Sequence, residues 1–227
     1  TVSHELRTPL NAIIGYTQII DIKGVQLSSH DTKHHLAAIL KSSKTLLALI
    51  DEILTLSSID TATIPIQINE TSLLHVLKTS IDDVEPLARR NHVTLVNEVD
   101  TTHLPRVLTN KDHLQKVFTN LLSNAVKYNR SDGRVIIKSS LLDEHNMVRI
   151  TIKDTGKGFK EAYPGQILEP FERLEFENSS IEGGGIGLTI AKKFLANMDS
   201  ELGYRSTPNE GSEFWVDLPA AVDLVTV

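Results

Sequence analysis

Leu36-Ala37-Ala38-Ile39-Leu40-Lys41-Ser42-Ser43-Lys44-Thr45-Leu46-Leu47-Ala48-Leu49-Ile50 repeats with a period of seven. Leu36, Ser43, Ile50 and Ser57 recur at that interval, while Ile39/Leu40, Leu46/Leu47 and Ile53/Leu54 fill the alternate positions. This rhythm marks a helix that packs along a seam. It runs from about Thr32 to Ile59. Upstream, Leu6, Leu10, Ile13, Thr17 and Ile20 recur at spacings of 4, 3, 4 and 3. A polar break at Gly24 to Asp31 separates the two segments, so they form an antiparallel hairpin. The second helix, of about 28 residues or roughly 42 Å, outruns the first. We therefore expect the first helix to begin upstream of Thr1, in a longer protein. A lone hairpin leaves an apolar seam that a second copy would cover as a four-helix bundle, so a homodimer is expected.

Beyond a short linker at Thr61 to Pro65, strands and helices mix. Ile64, Ile66 and Ile68 alternate like a strand. Leu73 to Arg90 reads as a helix and Val93 to Val99 as a strand. Asn110 caps a helix reaching about Asn129. Val135 to Leu142 and Met147 to Asp154 read as strands around a polar turn at Asp143–Asn146. Ile186 to Asn197 is helical, and Glu213 to Leu218 is a closing strand. Without strict alternation of strand and helix, the pattern predicts an α+β sandwich of two layers. The resulting domains are a hairpin at 1–61, a second domain at 64–219 and a tail at 220–227.

Composition narrows the function. The chain has 227 residues, 40% of them hydrophobic and 23% charged, as in ordinary globular proteins. No apolar run approaches the roughly 18 residues of a membrane span, and no signal peptide is apparent. With no cysteine, thiolate nucleophiles and cysteine–zinc sites are excluded. The net charge of −6 offers no broad footprint for nucleic acid, although a local loop can still hold a phosphate.

Four constellations could carry chemistry. In Ser3-His4-Glu5-Leu6-Arg7-Thr8-Pro9-Leu10, His4 lies about 200° around the helix from Leu6 and faces outward. An exposed imidazole beside a carboxylate can act as a nucleophile, although a plain surface histidine fits equally. Pro9 removes the N–H that the Glu5 carbonyl would use, so a bend is expected there. Asn120, Asn124 and Lys127 form one helical stripe, where amide oxygens suit Mg²⁺ and the lysine suits a phosphate. Asp154 continues the inward parity of Val148, Ile150 and Ile152, and a carboxylate there needs a donor such as the adenine amine. Gly156 and Gly158 after it would let backbone approach a ligand. Gly183-Gly184-Gly185-Ile186-Gly187-Leu188 precedes a helix, a suitable phosphate site. No Walker lysine follows, and no βαβ unit surrounds it.

Together these stretches resemble the catalytic core of the two-component sensor histidine kinases. Ser3 to Leu10 resembles the H box, Asn120 to Lys127 the N box, and Asp154 to Gly158 the first glycine box. Pro170-Phe171-Glu172-Arg173 resembles the F box, Gly183 to Leu188 the second glycine box, and Glu210-Gly211-Ser212 with Phe214 the last glycine segment. They stand in family order across residues 3 to 219. The resemblance implies a phosphoacceptor hairpin followed by a sandwich of the GHKL ATPase type. It implies that His4 receives the γ-phosphoryl group of ATP, that Glu5 serves as general base, and that Thr8 helps dephosphorylate a partner. Asn124 would ligate Mg²⁺, supported by Asn120, while Lys127 and Arg173 would contact phosphates. Tyr128 would flank the nucleotide and Asp154 would bind adenine, with Gly156, Gly158 and Phe159 beside it. Gly183, Gly185 and Gly187, then Leu188 and Thr189, would form the lid hinge and phosphate cradle. The implied partners are a second copy, a response-regulator receiver domain and an upstream sensor. No nucleic acid and no direct membrane contact are implied, and the location would be cytoplasmic.

Two positions depart from the family pattern. Leu168 stands where an aromatic is usual, and Gly184 stands where Thr or Ser is common, which would loosen the lid. Two other readings remain: an ATPase of the wider superfamily that includes DNA gyrase, and an inactive docking module. A phosphatase-dominant kinase is a variant of the leading reading.

Overall fold

The computed structural model describes residues 2–23, 27–61, 66–102, 104–142, 146–160, 165–172 and 185–221. The chain divides into two compact units, Thr1–Thr61 and Ala62–Val227. Among the described residues no helix is long and apolar enough to cross a membrane.

The first unit is a hairpin of α1 (Val2–Lys23) and α2 (Ser29–Thr61). The second helix starts three residues earlier than the heptads alone predict, because Ser28 caps it. The Ser28 hydroxyl accepts from the Asp31 amide at 3.0 Å and donates to the Asp31 carboxylate at 2.7 Å. α1 continues through Pro9, its one buried residue among those described. The contact seam also differs from the one expected. Leu6, Pro9, Ile13 and Tyr16 on α1 are at least half-buried, as are Ile39, Leu46, Leu49 and Ile53 on α2, whereas Leu10 and Thr17 are exposed. Each apolar stripe is wider than one seam. Its second edge (Leu10, Ile14, Leu36, Leu40, Leu47, Ile50 and Leu54) stays open to solvent.

In the second unit, β1 (Asn69–Ser72) pairs antiparallel with β3 (Arg106–Thr109). The expected strand at 64–68 is therefore displaced: Ile64 lies outside the described residues, and Ile66 to Ile68 form no strand. The pairing partner and the cap decide this. Asn69 lies opposite Thr109, and Ser72 ends the strand by accepting from the His75 amide at 3.4 Å to start α3 (Leu73–Arg90). The remaining strands are β2 (Thr94–Glu98), β4 (Arg134–Leu142), β5 (Met147–Asp154), β6 (Glu201–Thr207) and β7 (Gly211–Pro219). They form one mixed sheet in the order β2-β4-β5-β7-β6, with only β2–β4 parallel. Helices α4 (Lys111–Lys127) and α5 (Gly187–Ala196) complete the unit. The other expected elements lie within about two residues of these. Strands β3 and β6 were not anticipated.

Register explains why the sheet has one covered face. Ile137, Ile152 and Phe214 stand side by side, as do Ile150 and Val216, and then Val148 and Leu218. These inward side chains are buried with Val76 and Leu77 of α3, Phe118 and Leu121 of α4, and Phe194 and Leu195 of α5. The two layers of the α+β sandwich follow. α5 is pinned to α4 by the His113 ring stacked on Phe194 at 4.0 Å. Ala220, assigned to the tail, is buried and bridges Val107.

Candidate functional site

Asp154 is the residue that the register delivers. It sits opposite Val135 at the end of β5, one step beyond Ile152 on the buried face. Only 4% of its surface is exposed. Oδ1 accepts from the Gly156 amide at 2.8 Å and from the Ser212 amide at 3.2 Å. Among the described residues Oδ2 meets no donor, and no cation faces the carboxylate. Burial pushes its pKa up to about 6, against the pull of the two amides.

The glycines around Asp154 have a different task from the one expected. A Cβ on Gly156 would strike the Tyr128 carbonyl, one on Gly158 (φ +57°) the Thr207 carbonyl, and one on Gly211 (φ +113°) the carbonyl of Asp154. They let protein backbone close on protein backbone, seating the turn against α4 and the β6–β7 hairpin. Phe159 is likewise a core residue, packed with Tyr204 and Phe214 at centroid distances of 6.0 and 6.4 Å.

Along α4, Leu114, Val117, Phe118, Leu121, Leu122, Ala125 and Val126 face the core. Asn120, Asn124, Lys127 and Tyr128 fall at its edge and are half-buried, so the polar stripe is a lining rather than a solvated face. Asn120 donates to the Gly187 carbonyl at 3.1 Å, joining the stripe to the start of α5. The Asn124 amide makes no side-chain hydrogen bond among the described residues, so its oxygen is available to a cation.

At α5, the residue before the helix, Ile186, offers no capping side chain, so the first amides remain open. Gly187 and Leu188 are half-buried there. Thr189 is buried and donates to the Leu168 carbonyl at 3.0 Å, and the Phe171 amide donates to the Gly185 carbonyl at 3.0 Å. These bonds hold the F-box segment against α5. Leu168 is itself 7% exposed, so it fills its place without an aromatic ring. Arg173, Gly183 and Gly184 lie outside the described residues.

On α1, His4 is exposed, its side chain 75% accessible, with Nδ1 at 3.8 Å from Glu5 Oε1. Thr8 donates to the His4 carbonyl at 3.2 Å. Sequence reasoning did not assign a role to Ser212 as an Asp154 donor or to Asn129 and Thr155. The Glu210-Gly211-Ser212 segment carried the signal for the first.

Comparison with known proteins agrees with this geometry. Residues 109–222, half of the chain, match the model described as "Histidine kinase-, DNA gyrase B-, and HSP90-like ATPase". Residues 1–62 match "His Kinase A (phospho-acceptor) domain". The sensor protein GacS of Pseudomonas syringae pv. syringae is 34% identical over 96% of this chain and 24% of its own length. The signal transduction histidine-protein kinase BarA of Escherichia coli K12 is 30% identical over 94% and 23%. The chain thus spans about a quarter of these relatives. Among solved structures, histidine kinase AdeS of Acinetobacter baumannii has the same fold (TM-score 0.76, 19% identity, 96% and 98% of the two chains covered). Full-length ShkA in complex with AMPPNP gives a TM-score of 0.71 at 26% identity, covering 98% of this chain and 45% of its own.

Proposed function

We propose that this chain, which belongs to the two-component sensor histidine kinases and forms their catalytic core, uses Mg-ATP to phosphorylate its own His4 and passes the phosphoryl group to an aspartate of a response regulator. Asp154 carries the nucleotide half of this reading. A carboxylate buried without a cation, with Oδ1 engaged and Oδ2 unmet, requires a donor from outside the protein. The adenine amine supplies one. Tyr128 flanks the base, and Lys127 and Arg173 face the phosphates. The open amides at the start of α5, with Gly183, Gly185 and Gly187, favour the same anion. Asn124, with an unengaged amide oxygen, fits Mg²⁺, which takes oxygen ligands and keeps phosphates and waters in its shell. When bound, the metal offsets charge on the transferring group.

His4 supplies the acceptor. Glu5 lies on the Nδ1 side of the ring, so Nε2 is the nucleophile. The Nε2–phosphorus bond forms as the bond from the γ-phosphorus to the bridging oxygen breaks, and ADP leaves with that electron pair. Glu5 takes the Nδ1 proton. Positioning and charge stabilisation supply most of the rate. Thr8, one turn on from His4, is placed to orient water for the reverse task of dephosphorylating the partner. The open second edge of the α1–α2 stripe supports a homodimer built on a four-helix bundle. In the full-length protein a sensor domain lies upstream, and this core works in the cytoplasm.

The test is autophosphorylation with γ-labelled ATP and Mg²⁺, with His4→Gln beside it. Acid-labile, base-stable label that vanishes in the variant is the expected result. Measurable ATP binding by a folded dimer without any label would refute kinase activity.

A further inference from the structure

Asn129 stands just past the end of α4, outside the residues given any role above. Its side-chain amide is saturated. Nδ2 donates to the Ala125 carbonyl at 3.0 Å and to the Arg134 carbonyl at 3.0 Å. Oδ1 accepts from the Arg130 amide at 3.0 Å and from the Thr155 hydroxyl at 3.2 Å. An asparagine amide has two donors and two acceptor sites, and all four are used. Thr155 in turn accepts from the Arg134 amide at 2.9 Å. Gly133 is part of the same arrangement, because a Cβ there would strike the Asn129 amide oxygen.

These bonds join three pieces of chain: the last turn of α4, the first residue of β4, and the residue after Asp154. The nearby Tyr128 carbonyl accepts from the Lys157 amide at 3.1 Å, adding a second tie between α4 and the turn. One end of the site, Asn124 and Lys127, is carried by α4. The other end, Asp154, is carried by β5. A bound ligand that spans both ends needs their separation held constant, and pre-paid positioning of this kind is a large part of binding and catalysis.

We propose that Asn129 is a positioning residue that sets the α4 end of the site against Asp154, and so aligns the phosphates of ATP with its adenine. This rests on the ATP-binding reading above. Losing the clamp should act through Lys127. Asn129→Ala is therefore expected to weaken ATP binding by about tenfold, the scale of one well-placed hydrogen bond. In a Lys127→Ala background the same change should cost less than about twofold, because the phosphate contact it aligns is already gone.

The experiment is a double-mutant cycle by calorimetry on the full chain with Mg-ATP. Folding of each variant is checked by circular dichroism. Thr155→Val, which removes one of the four bonds, serves as a milder second probe and should give a smaller loss with the same dependence on Lys127. Non-additive losses support the clamp. Equal losses in both backgrounds, or unchanged affinity in folded Asn129→Ala and Thr155→Val, overturn it. An unmutated chain that binds no ATP would instead overturn the nucleotide reading itself.

Discussion

Replacing Asp154 by Asn should leave the fold at least as stable near neutral pH while crippling nucleotide binding. The carboxyl is 4% exposed and burial raises its pKa from 3.8 to about 6. A raised acid pKa means the folded state holds the proton more tightly than the unfolded state. Its contribution to stability is therefore fully present below pH 3.8 and is lost as pH rises through about 6. At ~1.36 kcal/mol per pH unit, the difference is roughly 3 kcal/mol. Above pH 7 the buried carboxylate costs about that much. Asn keeps an oxygen for the Gly156 and Ser212 amides and removes the charge. Its new amine has no acceptor in the protein, which costs about 1–3 kcal/mol. The net expectation at pH 7.5 is a variant about 0–2 kcal/mol more stable.

The sharper signature is the pH dependence. Between pH 7.5 and 4.5 the original chain should gain roughly 2 kcal/mol from Asp154 that the variant does not. Other carboxyls titrate in both proteins and cancel in the difference. Trp215, the single tryptophan, lies on β7 in the nucleotide-binding unit, so its fluorescence follows urea unfolding of that unit. In the same samples ATP affinity should fall about 30- to 150-fold, because an amine now faces the adenine amine. A variant that tracks the original chain in parallel across that pH range would refute a buried, uncompensated carboxylate. Unchanged ATP affinity would refute its assignment to adenine.

Other perturbations test other links. Gly158→Ala should destabilise the nucleotide-binding unit by at least about 2 kcal/mol, combining a left-handed backbone with a clash on the Thr207 carbonyl; urea unfolding by Trp215 fluorescence measures it. Leu47→Asp, at a side chain 60% exposed on the open edge of α2, should convert the dimer to monomer in sedimentation. Helicity should change little, since exposed substitutions usually cost within about 0.5 kcal/mol. Asn124→Ala should abolish Mg²⁺-dependent labelling of His4 while leaving the dimer intact, as read by autophosphorylation and sedimentation. Asp217→Asn should cost about 1 kcal/mol, because it breaks the paired 2.7 Å bonds that Arg149 makes on the solvent side of the sheet.

Strong periodicity was the legible part. Helix α3 appears at the residues its pattern predicts, and Asn110 caps α4 by accepting from the His113 amide at 3.1 Å. Asp154 was placed on the buried face by parity alone, because a two-residue period leaves only two choices. Strands β3 and β6 were not legible for a related reason. Arg106–Thr109 is four residues long and owes its existence to pairing with β1, a long-range event with no local signature. In β6, Gly203 interrupts the alternation: it lies beneath the Trp215 ring, and only the β7 partner makes it strand. A turn signal was present in Pro208-Asn209-Glu210-Gly211, where Asn209 and Gly211 take positive φ.

The glycines show how a correct motif can carry an incomplete physical reason. Asp154, Gly156 and Gly158 were read as one ligand-facing loop. The structure separates their work: Asp154 faces inward with one oxygen unmet, while the glycines face protein. The dependence still runs through to the ligand. Gly156 donates to Asp154 Oδ1 only because its missing Cβ lets the turn close on the Tyr128 carbonyl. Gly211 lets β7 approach until the Ser212 amide reaches the same oxygen. With Oδ1 taken by both amides, Oδ2 alone is presented outward, in one orientation. Selectivity for a donor at that point is thus built from backbone approach, and a side chain at either glycine would disturb it without touching the nucleotide. An alanine at Gly156 should accordingly lower ATP affinity together with the Asp154 contribution to pH-dependent stability, two effects that a purely ligand-facing glycine would not couple.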